Sequence, residues 1–351
     1  VQALAGVTIA DFSRVLAGPY ATMLLADLGA TVIKIERPGT GDDTRAWGPP
    51  FVDGESTYYL GLNRNKRSVA LDLGSPEARE LAAQADVVIE NFRPGTMARH
   101  GLDYATLSAA NPKLVYCSIT GFGPDSSLPG YDLLVQAVGG LMSVTGTPGS
   151  PTKAGVALVD VITGLHAMSG ILAALRHAER TGEGQLVEVS LLSSLLSALV
   201  NQSAGYVMAD VVPTPMGNQH PSVAPYEVFE ARDRPIVLAV GNDKQFAGLC
   251  EVLGIPDDPR FQTNALRVQH RPALTKEINS RLGSQDAAHW LPALTAVGVP
   301  CGPINNVAEA VTLAARLGLE PVIEIDGLPQ VANPIRLAKT PAEYHTAPGK
   351  R

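Results

Sequence analysis

Val7-Thr8-Ile9-Ala10-Asp11-Phe12 is followed by the loop Ser13 to Pro19, the apolar run Tyr20 to Leu28, Gly29, and then Thr31-Val32-Ile33-Lys34-Ile35. The first block is an apolar run of strand length and predicts a buried strand. Gly18 and Pro19 open a helix over Tyr20 to Leu28, because proline's fixed φ and missing N–H suit a first helical turn. Gly29 stops it, and Thr31 to Ile35 is the next strand. Strand, helix, strand predicts a parallel sheet and a Rossmann-like half.

The alternation continues outward. Strands are expected at Ser68 to Leu71, Val87 to Glu90, Leu114 to Ile119 and Gln185 to Ser190. Helices are expected at Ser75 to Ala83, Tyr104 to Ala110, Leu133 to Val144, Val161 to about Arg180, and Leu191 to about Met208. Composition changes at Val211 to Pro225, where four prolines, Gly217, Asn218 and His220 mark a loop and a domain boundary. Beyond it Tyr226 to Ala231 and Ile236 to Val240 read as a hairpin around Asp233. Helices follow at Lys244 to Leu253, Arg271 to Leu282, Gln285 to Ala296 and Val307 to Leu317, with a strand at Val322 to Ile325. The fold class is α/β: a Rossmann-like large domain with a parallel sheet over 1–210, a linker over 211–225, a smaller α+β domain over 226–319, and a return to the large domain over 320–351.

The 351 residues suffice for two domains, and the low aromatic and high aliphatic content suits an α/β protein. A net charge of −7 argues against a nucleic-acid partner but leaves room for a local anion site. Cys117, Cys250 and Cys301 form no CxxC and no metal spacing, so no metal is expected. Reduced thiols and the lack of a signal pattern give a cytoplasmic expectation. No apolar stretch reads as a clean membrane span; Leu191 to Val200 comes nearest, interrupted by serines.

Several residues are candidates for chemistry. The first loop has Gly18 but no GxGxxG, which argues against NAD or FAD. Its N–H groups could face a thioester or phosphate, or the loop could be an ordinary tight turn. Arg37 follows the second strand, where an arginine suits a phosphate or stacks on adenine; Glu36 would pair with Lys34 or Arg37 at the surface. Asn63-Arg64-Asn65-Lys66-Arg67 is the densest basic cluster, either a solvated face, an attractor of phosphates or a contact between subunits. Asn91-Phe92-Arg93 lies just past a strand, at the end where parallel sheets bind ligands; alternatively Pro94-Gly95 is a turn and the nearby arginines cover surface. Asp160 ends the apolar run Ala154 to Val159 and begins a helical run. A carboxylate at such a strand-to-helix junction either caps the helix or does chemistry there. His166, six residues on, reads as a packed helix residue. Gly217-Asn218-Gln219-His220-Pro221 is either a hinge or a source of amide donors.

Taken together, Leu16-Ala17-Gly18-Pro19, Val32 to Arg37, Asn63 to Ser68, Glu90 to Gly95, Gly130-Tyr131-Asp132-Leu133, Gly140 to Gly146 and Pro151 to Asp160 resemble the family III CoA transferases, as far as about Pro303. The resemblance implies that Asp160 is the nucleophile. It implies a CoA site at Leu16, Ala17, Arg37, Leu71, Asn91, Phe92, Arg93, Arg99, Tyr131 and Asp132, and a loop at Gly217, Asn218 and Gln219 that closes over the intermediate. A family lysine falls on Gly74 here, so that contact is missing. The related α-methylacyl-CoA racemases carry histidine where this chain has Tyr131, which favours transfer over racemisation; a non-catalytic CoA binder is a third reading. The resemblance further implies an interlocked homodimer, acyl-CoA and a carboxylic acid acceptor as substrates, and no permanently bound cofactor beside coenzyme A as substrate; the charge balance and the lack of a clean span give the expectation of no nucleic-acid or membrane partner.

Overall fold

The computed structural model describes residues 1–349, which form two compact units. The first comprises Val1–Met142, Lys153–Pro213 and the chain from Glu320 onward; the second comprises Ser143–Thr152 and Thr214–Leu319.

The first unit is built on a six-stranded sheet: β1 (Thr8–Asp11), β2 (Thr31–Glu36), β3 (Lys66–Ala70), β4 (Val87–Glu90), β5 (Val115–Thr120) and β6 (Leu186–Ser190). Every pairing is parallel and the order is β6-β5-β4-β1-β2-β3. Ile9 stands between Val32 and Val87, so β1 is central. The chain winds outward from β1 to β3, then returns to β4 on the other side of β1. That reversal leaves a crevice beyond the C-terminal ends of β1 and β4, where open α/β sheets bind ligands.

Both faces of the sheet are covered, and the central strands bury apolar side chains on both sides for that reason. Ile9, Val87, Ile89, Val115 and Cys117 point to one side, where they meet Ala21, Leu24 and Leu25 of α1 (Ala17–Asp27) and Ala167 and Ile171 of a long helix, Leu158–Thr181. Ala10, Val88 and Tyr116 point to the other, against Ala78 and Ala82 of helix Pro76–Gln84 and Leu107 of helix Tyr104–Ala110. Two further helices complete the first layer: α2 (Asp132–Val138) precedes the long helix, which becomes α3, and α4 (Leu191–Ala198) follows it. By length and composition α3 could cross a membrane, a property expected more nearly of Leu191 to Val200. It lies against the sheet with Val159, Ala167 and Ile171 buried.

The second unit holds an antiparallel three-stranded sheet of Tyr226–Glu230, Pro235–Ala239 and Cys301–Pro303. Its core is Phe229, Ile236, Leu238, Leu249, Leu274, Ile278 and Leu294, drawn from the sheet and the helices Asp243–Leu253, Arg271–Leu282 and Ala287–Ala296.

Several expectations are corrected. Ala154 to Val159 is not a strand: residues 152–157 run without regular structure and the helix begins at Leu158. The helix expected over Leu133 to Val144 stops at Val138, because Gly140 takes φ 92°, and resumes at Leu141. The helix from Leu191 breaks after Ala198, with Val200 at φ 43°. The hairpin of Gly146–Thr147 and Ser150–Pro151 falls in the second unit, although its sequence position suggested the first domain.

The basic cluster is also not a solvated face. Arg64 is 2% exposed and holds Asp27 through Nε at 3.0 Å and Nη2 at 2.7 Å. Asn65 and Asn333 donate to the same carboxylate, and Arg64 Nη1 donates to the Val331 carbonyl at 2.8 Å. Lys66 is buried on Asp11 at 3.2 Å, which leaves only Arg67 of the cluster exposed. A sequence pattern cannot show this, because the matching acids lie on α1 and β1.

Removing one partner of a buried ion pair leaves the other uncompensated. Arg64→Ala should therefore lower the unfolding free energy by about 3–5 kcal/mol. Urea unfolding checks it; a loss below ~1 kcal/mol would show that Asp27 is solvated or protonated without cost.

Candidate active site

The loop between β1 and α1 rests on buried charges. Asp11, at the end of β1, accepts hydrogen bonds from Ser13 Oγ, Thr22 Oγ1 and Lys66 Nζ. Burial opposes its ionisation, but Lys66, Lys34 and the two hydroxyls outweigh it and hold the carboxyl below its ordinary range. Lys34 Nζ donates to the Ser13 carbonyl at 3.0 Å and to Asp42 Oδ2 at 2.9 Å. Asp42 in turn accepts from the Thr44 N–H and hydroxyl, and from the Val15 N–H at 3.3 Å. Glu36 is not paired at the surface: it accepts from two of the three Arg45 guanidinium nitrogens, Nε at 2.8 Å and Nη2 at 2.7 Å, and is buried. Burial pushes the Glu36 carboxyl up, yet its hydrogen bonds with Arg45 and Ser68 bring it to about 2.

From the β4 side, Asn91 grips the same loop. Its Oδ1 accepts the Arg14 N–H at 2.8 Å and its Nδ2 donates to the Arg14 carbonyl at 2.7 Å. Val15 is left at φ 68°, a left-handed conformation that a β-branched residue takes only under constraint. Helix α1 then starts with no side-chain cap. Among the described residues, the N–H groups of Leu16 and Ala17 donate to nothing, as the first turn of a helix requires.

Asp160 faces this uncapped end. It is the third residue of α3 and not its cap; Ala157 precedes the helix and has no capping side chain. The cap comes from Asp132, whose Oδ1 accepts from the N–H groups of Val159 at 2.8 Å and Asp160 at 3.2 Å. Gln136 holds Asp132 from behind, Nε2 to Oδ2 at 2.6 Å, and accepts from the Ala154 N–H at 2.9 Å. The Asp160 carboxylate accepts no hydrogen bond from the described residues. Burial, and next the neighbouring Asp132 carboxylate, push it up to about 7. Gly164, one turn on and on the same face of α3, lets the helices touch: a Cβ there would lie 2.6 Å from the Ala17 carbonyl oxygen. That contact sets Asp160 beside the start of α1.

Asp160 lines a cleft of about 410 Å³ at the sheet's reversal point, together with Leu16, Ala17, Arg37, Asn91, Phe92, Arg93 and Tyr131. Three expected residues are elsewhere in the first unit. Asp132 lies behind Asp160 as its helix cap. Leu71 donates its N–H to the Glu36 carbonyl and packs on the apolar layer with Ile35 and Ala78. Arg99 lines an adjoining hollow, shared with Arg93 and Ser126. Gly217, Asn218 and Gln219 belong to the second unit, where the Gly217 N–H donates to the Gly146 carbonyl at 2.7 Å and Gln219 Nε2 to Glu227 at 2.9 Å. His166 bonds Ser194 at 3.0 Å and does not line the cleft.

The cleft also contains residues that sequence reasoning passed over. Arg14 lines it with its guanidinium 4.8 Å over the Phe92 ring. Ile119 to Gly121 contribute from the end of β5, a position the strand-end rule could have flagged. Tyr58, which does not line the cleft, has a phenol pushed up to about 12 by burial and then by Asp160, Asp132 and Asp42. Among the described residues no group of His, Cys, Asp and Glu could hold a metal ion.

Residues 4–350 match the model of CoA-transferase family III. The chain belongs to this family. A succinate–glutarate CoA-transferase of Agrobacterium fabrum is 46% identical, over 97% of this chain and 91% of that protein. An acetyl-CoA:oxalate CoA-transferase of Acetobacter aceti is 41% identical, over 95% and 88%. Among solved structures, a CAIB/BAIF family protein from Brucella suis superposes with a TM-score of 0.89 at 41% identity, covering 99% of this chain and 96% of that one. The protein is thus a CoA-transferase, and its substrates are CoA thioesters.

Two outcomes follow for the CoA-transferase. Gly164→Ala should push α1 and α3 apart, costing about 1–3 kcal/mol of stability and a larger share of activity than of CoA binding; unchanged turnover would show that the helix contact does not position Asp160. Asp160→Asn should raise the melting temperature near pH ~8 and leave it unchanged at acid pH. The sign follows from the raised folded-state pKa: the folded chain holds its proton up to about 7 while the unfolded one loses it in the ordinary carboxylate range, so wild-type stability falls across that interval. Equal melting temperatures at both pH values would refute a buried, charged Asp160.

Proposed function

We propose that the protein moves CoA between carboxylic acids through covalent intermediates on Asp160. The observation that carries this reading is the Asp160 carboxylate itself: half-buried, without a hydrogen bond from the described residues, and set in the cleft with the N–H groups of Leu16 and Ala17, which donate to none of them. Asp160 attacks the thioester carbonyl of an acyl-CoA. A C–O bond forms, the C–S bond breaks, and CoA leaves as a thiolate, which needs no general acid. The thiolate attacks the Asp160 carbonyl of the mixed anhydride, releasing the donor acid and leaving an aspartyl-CoA thioester. An acceptor carboxylate takes the CoA by the reverse two steps. The amides of Leu16 and Ala17 are the donors for the tetrahedral oxyanions. One thioester replaces another, so the energetics close without ATP.

Arg14 and Arg37 supply positive charge in the same cleft for an anionic substrate. A dicarboxylate acceptor fits the relatives, of which one is named for succinate and glutarate and one for oxalate. Proton transfer at Cα, the racemase reading, has less support: among the described residues no imidazole lines the cleft, and Tyr131 stands at its rim, 64% exposed. Self-association is part of the proposal, because Val200, Tyr206, Val207, Met208, Val211 and Val212 leave an apolar face exposed.

The test is loading. Incubation with succinyl-CoA and no acceptor should label the peptide carrying Asp160, hydroxylamine should trap the label, and glutarate should discharge it. Asp160→Asn should keep less than about a hundredth of the wild-type rate, a loss above ~2.7 kcal/mol of transition-state stabilisation. Because the nucleophile must be ionised, kcat/KM should rise with pH through about 7 and level off above it. Deuterium exchange at Cα without a trapped ester would reverse the assignment.

A further inference from the structure

We propose that Asn91 serves the reaction by positioning the loop backbone. Each end of its amide makes a bond to the loop: Oδ1 accepts from the Arg14 N–H at 2.8 Å and Nδ2 donates to the Arg14 carbonyl at 2.7 Å. A primary amide facing a peptide group in this two-bond pattern mimics a strand pairing, and it locks both sides of Arg14. The next residue, Val15, is held at φ 68° with its N–H turned to Asp42 at 3.3 Å. A β-branched residue there costs on the order of 1–3 kcal/mol and persists only while its neighbours enforce it. Asn91 before Val15 and Asp42 beside it are the two restraints, and Asp42 is itself fixed by Lys34 and Thr44.

The conformation of Val15 directs the chain that follows. Leu16 and Ala17 come next, and it is their free N–H groups that stand at the Asp160 end of the cleft. Without the Asn91 clamp, Val15 would relax toward negative φ and carry those two amides away from the reacting carbonyl. Loss of the clamp should therefore slow chemistry more than it weakens CoA binding. A residue that only touched the ligand would show the opposite split.

The inference rests on the transfer reading above, and the experiment separates the two. The rate of loading of Asp160 by succinyl-CoA is measured by mass for wild type, Asn91→Ala, Val15→Gly and the double variant, alongside KM and a thermal melt. Glycine takes φ near +68° without strain, so a chain with Val15→Gly depends less on the clamp. Asn91→Ala should slow loading by about thirtyfold in the wild-type background and by less than about threefold in the Val15→Gly background, with KM for the CoA ester moving less than about threefold throughout. Should Asn91→Ala not fold, Asn91→Asp keeps the acceptor for Arg14 N–H while setting a carboxylate oxygen against the Arg14 carbonyl, and the same direction and rescue are expected. A raised KM with unchanged loading rate, or an equal loss in both backgrounds, overturns the inference. A wild-type chain that never loads overturns the transfer reading beneath it.

Discussion

The buried ion pair of Lys34 and Asp42 is the constraint on which the site depends. Lys34 sits on the central sheet with its ammonium under the first loop, where it holds both the Ser13 carbonyl and Asp42. An unpaired ammonium at 1% exposure would be costly, so the pair fixes where the segment around Asp42 must lie. Asp42 then restrains Val15, and Arg45 a few residues on closes over Glu36. Four charges that look like surface residues in the sequence, Lys34, Glu36, Asp42 and Arg45, are buried and paired. Their main effect is to give the loop one geometry, and so to give the start of α1 one direction.

Two neighbouring carboxylates take different parts for a related reason. Asp132 accepts two backbone N–H groups and the Gln136 amide, so its charge is solvated by the protein. Asp160 has neither, and the Asp132 charge next to it raises the cost of ionising it further. A carboxylate poised in this way is more basic and less hydrated than one in water, as the proposed role of Asp160 requires. The cleft, the free amides and the bare carboxylate meet only because Gly164 allows α1 and α3 to come together.

Much of this was legible along the chain, and the misses have physical causes. The strand at Val87–Glu90 and the helices at Tyr104–Ala110 and Arg271–Leu282 fall where the residue pattern puts them, since each is bounded by its own stop signals and buries one side locally. The basic run from Asn63 to Arg67 was misjudged because Asp27 and Asp11, which neutralise it, lie on other elements. The apolar run before Asp160 has the composition of a strand but pairs with no described strand: residues 154–157 are irregular and Leu158 opens the helix. Arg14 carried no periodic or motif signal, and its place over Phe92 depends on β1 and β4 being adjacent.

The sequence by itself determined the α/β class, the parallel sheet and the family, because burial periodicity, turn residues and ordered motifs are local properties of the chain. It also marked Asp160 as either a cap or a reacting group. Only the tertiary structure ruled out the capping role, by bringing Asp132 across to cap α3 and leaving the Asp160 carboxylate without a hydrogen bond from the described residues. That choice turns on which groups reach each other from positions 28 residues apart, a matter of distance and burial that no pattern within one segment can contain.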